Sequence, residues 1–180
     1  MPAVKNLDQL FEAQLHDIYY AEHKLVKALP KMAKKATDKK LEAAFLKHER
    51  ETRDQIAKLE KVMNNLGIKI KGVKCEAIVG IVKEADEMIK ESKDPEVRDA
   101  ALIAAGQKAE HYEIATYGSL CNFALRLGHE SEAKILHSIL EQEKKTDAAL
   151  TALADAGINN QADKPVKQST WFGGESHAQV

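Results

Sequence analysis

The chain has 180 residues, enough for one domain with a substantial core. Hydrophobic residues make up 44%, charged residues 31% and aromatics only 5%, a soluble globular balance that favours helices over sheets. A formal charge of -1 gives no global attraction to nucleic acid or to an acidic membrane.

The first predicted helix runs from about Leu7 to Ala36, with Leu7, Phe11, Ile18, Leu25 and Leu29 on one stripe. Asn6 is its candidate N-cap, and Pro30 is expected to kink it or end its regular part. Thr37 or Asp38 caps a second helix that reaches Asn65 or Leu66. Its stripe is Leu41, Phe45, His48, Thr52, Gln55, Leu59, Val62 and Leu66, and Gly67 suits the position after its end. The stretch GIKIKGVKC has no helical period and reads as a connection, followed by a shorter helix from about Glu76 to Glu91.

Asp94 as N-cap and Pro95 at the first helical position start the third long helix, which Gly128 stops. The fourth runs from about Glu130 to Ala156, closed by Gly157. Two hairpins are therefore joined by a connection long enough to cross the bundle. The expected architecture is all-α: a ferritin-like four-helix bundle with a long crossover connection carrying a short extra helix. Residues 1–158 form this bundle, and residues 159–180 read as a polar, flexible tail in which Trp171 and Phe172 are the one apolar pair.

Two cysteines, Cys75 and Cys121, form no CxxC pair, so no zinc or redox motif is indicated. MPAVKNLDQLFEAQ lacks a signal-peptide core, and charges interrupt every apolar run before about 18 residues. A cytoplasmic protein with reduced thiols, binding neither nucleic acid nor membrane, is expected.

The anomaly lies at the middle of each long helix, where polar residues interrupt the apolar stripe. These are Glu22 in the first helix and His48, Glu51 and Thr52 in the second. Glu110 and Glu113 interrupt the third, and Glu143 and Asp147 the fourth. At about 1.5 Å rise per residue, antiparallel helices of matched length bring these centres to one level. Burying several bare carboxylates would exceed the whole stability of a domain, about 5 to 15 kcal/mol. No Lys or Arg lies on the stripes to neutralise them, so two divalent cations are the economical remedy. Carboxylates with one or two imidazoles suit iron, with manganese and zinc as alternatives.

These same residues carry a resemblance. Asp17 to Glu22 reads D-x4-E, His48 to Gln55 reads H-x-x-E-T-x-x-Q, Glu110 to Gly118 reads E-H-Y-E-I-x-x-Y-G, and Glu143 to Asp147 reads E-K-x-T-D. Over about Leu7 to Ala156 the chain resembles the YciE/YciF-type family of bacterial ferritin-like, stress-response proteins. The resemblance implies a di-iron bundle that forms a homodimer. The wider ferritin-like pattern places Glu-x-x-His on one helix of each hairpin. This chain has His48-x-x-Glu51 instead, and no histidine at Glu143-x-x-Thr146.

The metal ligands expected are Glu22, Glu51, Glu110 and Glu143, one acid per helix, then Glu113. His48 and Asp147 are ligands or partners of ligands, and Tyr117 is a packing residue that could face the metals. The expected function is a di-iron protein of stress response handling oxygen, peroxide or iron, with ferroxidase and peroxidase chemistry both fitting. The alternative is a non-catalytic interaction bundle with a structural or vestigial metal site.

Overall fold

A computed structural model describes residues 4–164. Trp171 and Phe172 lie outside the described residues. The elements are α1 (Leu7–Lys35), α2 (Lys39–Asn65), α3 (Glu76–Glu91), α4 (Pro95–Arg126), α5 (Glu130–Leu153), a kinked segment (Ala154–Ile158) and α6 (Asn159–Ala162). The predicted all-α bundle and its short extra helix are both present.

The helix ends follow local chemistry. Asn6 accepts a hydrogen bond from the Gln9 amide, Asp38 from Lys40 and Leu41, and Asp94 from Glu96 and Val97. After α2 and α4 the chain turns through Gly67 and Gly128, both at positive φ. There Ile68 N–H bonds back to Met63 and His129 N–H to Ala124, which satisfies carbonyls the helix leaves open.

α1 continues as helix through Pro30 to Lys35 rather than ending there. Pro30 is exposed, so the hydrogen bond it removes is on the solvent side, where water can replace it. At Gly157 the backbone leaves helical geometry (φ 140°), so the fourth long helix closes there as expected; one further turn, α6, follows, and Lys164 then pairs with Asp94 (3.0 Å) and Glu96 (2.6 Å) at the start of α4.

Three contacts fix the topology. Asp99, near the start of α4, accepts from the backbone amides of Thr37 (2.8 Å) and Asp38 (2.7 Å) in the α1–α2 turn. Asn65, at the end of α2, donates to Glu132 at the start of α5 (2.9 Å). Phe11 stacks on His129 with ring centroids 6.3 Å apart. α1 is therefore antiparallel to α4, and α2 to α5. The end of α2 and the start of α4 lie at opposite ends of the bundle. Residues 66–94 must cross its full length, and α3 does so while packed against α4 and α1.

One apolar core runs through the bundle. Ile18 and Leu25 flank Glu22, Phe45 and Leu59 flank the polar part of α2, and Leu140 and Leu150 flank Glu143; all are buried. Gly106 sits one turn before Glu110, where an added Cβ would meet Leu150 Cδ1 at 3.0 Å and Phe45 Cε1 at 3.3 Å. Phe45, Leu150 and the bare Gly106 backbone thus close the core on one side of the polar layer.

Candidate metal centre

Four helices deliver polar side chains into the middle of this core. α1 brings Glu22, α2 brings His48, α4 brings Glu110 and Glu113, and α5 brings Glu143; each is at most 2% exposed. His48, Glu110, Glu113 and Glu143 each offer a donor atom within 4.8 Å of the others, a spacing that could hold a metal ion.

The orientation of these groups is informative. His48 Nε2 is 2.9 Å from Glu110 Oε1 and 3.9 Å from Glu143 Oε2, yet it makes no hydrogen bond. Both oxygens of Glu113 and of Glu143 are also without partners, as are one oxygen each of Glu22 and Glu110. So are both ends of the buried Gln55 amide. Among the described residues, every buried side-chain nitrogen or oxygen that lacks a partner belongs to this one layer. Such atoms are rare and costly in native proteins. Groups crowded together in this way make a donor set that could hold a cation.

Electrostatics point the same way. Burial first, and then the charges of neighbouring carboxylates, push Glu22, Glu113 and Glu143 well above the usual glutamate range. Burial likewise lifts Glu110 to about 8. Tyr117 is fully buried and donates its phenolic proton to Glu22 Oε1. Burial, then the Glu22 charge, holds that phenol well above its ordinary value. Thr52 turns its hydroxyl to the His48 carbonyl (2.9 Å) and so has no claim on the cluster.

Two expected ligands stand apart. Glu51 is half-buried at the surface of α2 and paired with Lys47 at 2.5 Å. Asp147 is half-buried, accepts from Gln107 Nε2 at 3.2 Å and lies 3.4 Å from His111. Neither joins the buried group, although both are near enough to Glu110 for their charges to raise its pKa. They form an acidic rim around the Glu110 side of the centre. Gln55 was legible only as a member of the α2 stripe, with no signal that its amide would be left unpaired.

Asp17 is also outside the centre. It accepts from Tyr112 at 2.5 Å, and the Tyr112 hydroxyl lies 3.1 Å from Cys75 Sγ. Cys75 and Cys121 are both free and buried. No helix among the described residues is long and apolar enough to cross a membrane.

A crossover-linked four-helix bundle with a carboxylate and imidazole layer at mid-height defines a protein of ferritin-like architecture. The chain belongs to the family described as Domain of unknown function (DUF892), which it matches over residues 6–163. It is 45% identical to Protein YciF of Escherichia coli over 161 residues, 89% of this chain and 97% of that one. The crystal structure of the E. coli stress protein YciF superposes with a TM-score of 0.84, covering 88% of this chain and 99% of that chain at 45% identity. The YcfI structure from Rhodopseudomonas palustris gives a TM-score of 0.82 at 43% identity, covering 83% and 96%.

Proposed function

We propose that this protein is a di-iron member of its family, acting in stress response by handling oxygen, peroxide or iron at the buried centre. The supporting observation is the set of unpartnered donor atoms on Glu22, His48, Glu110, Glu113 and Glu143. Four carboxylates are balanced in charge by two divalent cations, which is the stoichiometry proposed, with iron favoured over manganese and zinc by the oxygen-rich donor set. Similarity to the E. coli stress protein supports the physiological context.

Bound iron would supply Lewis acidity and a change of oxidation state towards a small oxidant. The chain's own residues hold and shield the site. Tyr117 fixes one oxygen of Glu22 and leaves the other without a partner. Phe45 and Leu150, closing over Gly106, exclude water from below. The raised carboxyls bind protons when no cation is present and must release them on loading, so metal uptake and proton release are coupled. Glu51 and Asp147 offer an approaching cation its first negative charges. In the cytoplasm, the protein would work as a homodimer of such bundles.

The test is anaerobic loading with Fe²⁺, elemental analysis, and then addition of peroxide. Two irons per chain that are oxidised as peroxide disappears support the reading. Bound but inert metal would instead favour a structural centre, and absence of binding would remove the proposal.

A further inference from the structure

The four-donor group of His48, Glu110, Glu113 and Glu143 leaves two neighbours outside it, Glu22 and Gln55. Both are 0% exposed, and both retain unpartnered polar atoms. Glu22 Oε2 has no partner, and neither end of the Gln55 amide has one. One cation among the four donors would leave these atoms bare. It would also leave two of the four carboxylate charges uncompensated.

Their surroundings are shared. Glu22 lies near enough to Glu143, His48 and Glu110, and Glu113 to Glu143, Glu22 and Glu110, for their charges to act on one another. The Gln55 amide stands close enough to Glu143 to favour its ionised form, though not in good hydrogen-bonding geometry. Gln55 is seven residues beyond His48, about 10 Å along α2 on the same face. His48 therefore marks one end of the polar layer and Gln55 the other, and Glu143 is near both.

Resting on the di-metal reading above, we infer that the two cation positions are chemically unequal and that Gln55 belongs to the second. The first takes the His48 imidazole with Glu110 and shares Glu113 and Glu143 of the four-donor group with the second. The second, between Glu22, Glu113 and Glu143, has oxygen donors only, with the Gln55 amide oxygen as its neutral member. An amide oxygen is a hard donor without charge, so it completes coordination without adding a fifth negative group to balance. An oxygen-only position suits Mn²⁺ or Fe²⁺, while the imidazole-bearing position also accepts Zn²⁺.

The experiment is metal counting on the full chain, with no activity readout. Purified apoprotein is loaded with Mn²⁺, freed of excess and analysed for Mn per chain, and the magnetic coupling of a manganese pair is followed by electron paramagnetic resonance. Wild type should hold two ions with a coupled signal. Gln55→Leu should hold one and lose the coupling, His48→Leu should lose the other ion, and Gln55→Glu should again hold two. Circular dichroism with chelator present checks that each variant folds, and Gln55→Glu gives an answer even if Gln55→Leu does not. Two coupled ions in Gln55→Leu would overturn the inference, as would fewer than two in Gln55→Glu. One ion in wild type would also overturn it, while leaving a metal centre in place. No ion in wild type would instead dispose of the metal reading altogether.

Discussion

Tyr117 on α4 donates a hydrogen bond to Glu22 on α1, and each is completely buried. The bond ties two helices that are far apart in sequence and holds a carboxyl that has no other partner among the described residues. Replacing Tyr117 by Phe keeps the ring and removes the donor. In chelator, the variant should lose about 1 to 3 kcal/mol in a urea titration, the cost of a buried polar group left unsatisfied. An unchanged midpoint would mean that Glu22 finds another partner.

The raised carboxyls set the sign of the pH dependence. Glu110 is lifted from 4.5 to about 8, and Glu22, Glu113 and Glu143 shift in the same direction. Between those two values the folded protein holds a proton that the unfolded chain has released. Metal-free stability is therefore greatest at the acidic side of this window, and it falls as pH rises through the folded pKa. With metal bound the slope should reverse, because the ligands must be deprotonated. Urea titrations across the window, with chelator and with Mn²⁺, check both slopes, and parallel curves would contradict a metal centre.

The buried acids and the rim acids should separate cleanly. Glu113→Gln or Glu143→Gln should abolish tight binding of at least one ion and stabilise the metal-free protein near neutral pH, since each removes the cost of protonating a buried carboxyl on folding. Glu51→Gln and Asp147→Asn should leave metal content unchanged and slow loading severalfold, most visibly at low salt, where outer charges steer cations best. Stopped-flow uptake with elemental analysis distinguishes the two groups. Loss of stoichiometry in Glu51→Gln would bring that residue into the coordination sphere.

Gly106→Ala tests the closure beneath the centre. An alanine improves helix propensity by about 1 kcal/mol, but its Cβ would stand 3.0 Å from Leu150 and 3.3 Å from Phe45. Overpacking of this kind costs about 1 to 3 kcal/mol. A modest net loss of stability is expected by thermal denaturation, with metal retained. A gain would show that the Leu150 side chain moves aside freely.

Much of the fold could be read directly from the chain. Asn6, Asp38 and Asp94 cap where their side chains suggest, and Gly67 and Gly128 end helices where the period stops. The crossover followed from the length between α2 and α4. What sequence could not resolve was rotation within a stripe. Taking about 100° per residue, the buried face of α4 runs between Glu110 and Glu113, so both point inward. On α2 the face is centred on His48, Thr52 and Gln55, which places Glu51 about 65° from its middle and within reach of Lys47.

Asp147 lies within the α5 stripe by the same count, and only the neighbouring Gln107 and His111 draw it outward. Such pairing between helices has no local signature. Nor does Asp99, a surface acid by composition, which the fold uses to hold the α1–α2 turn. The chain beyond Gly157 reads as polar and without period, and docking against α4 through Lys164 depends on acids about seventy residues earlier.

The crossover has a consequence for biosynthesis. The first hairpin carries Glu22, His48 and Gln55, and the remaining carboxylates arrive with α4 and α5, the last of them at Glu143. A nascent or truncated polypeptide therefore has no competent pair of sites with which to sequester a transition metal prematurely. On the proposed metal reading, capture waits until α5 has emerged and the two hairpins have met, so loading would report their assembly.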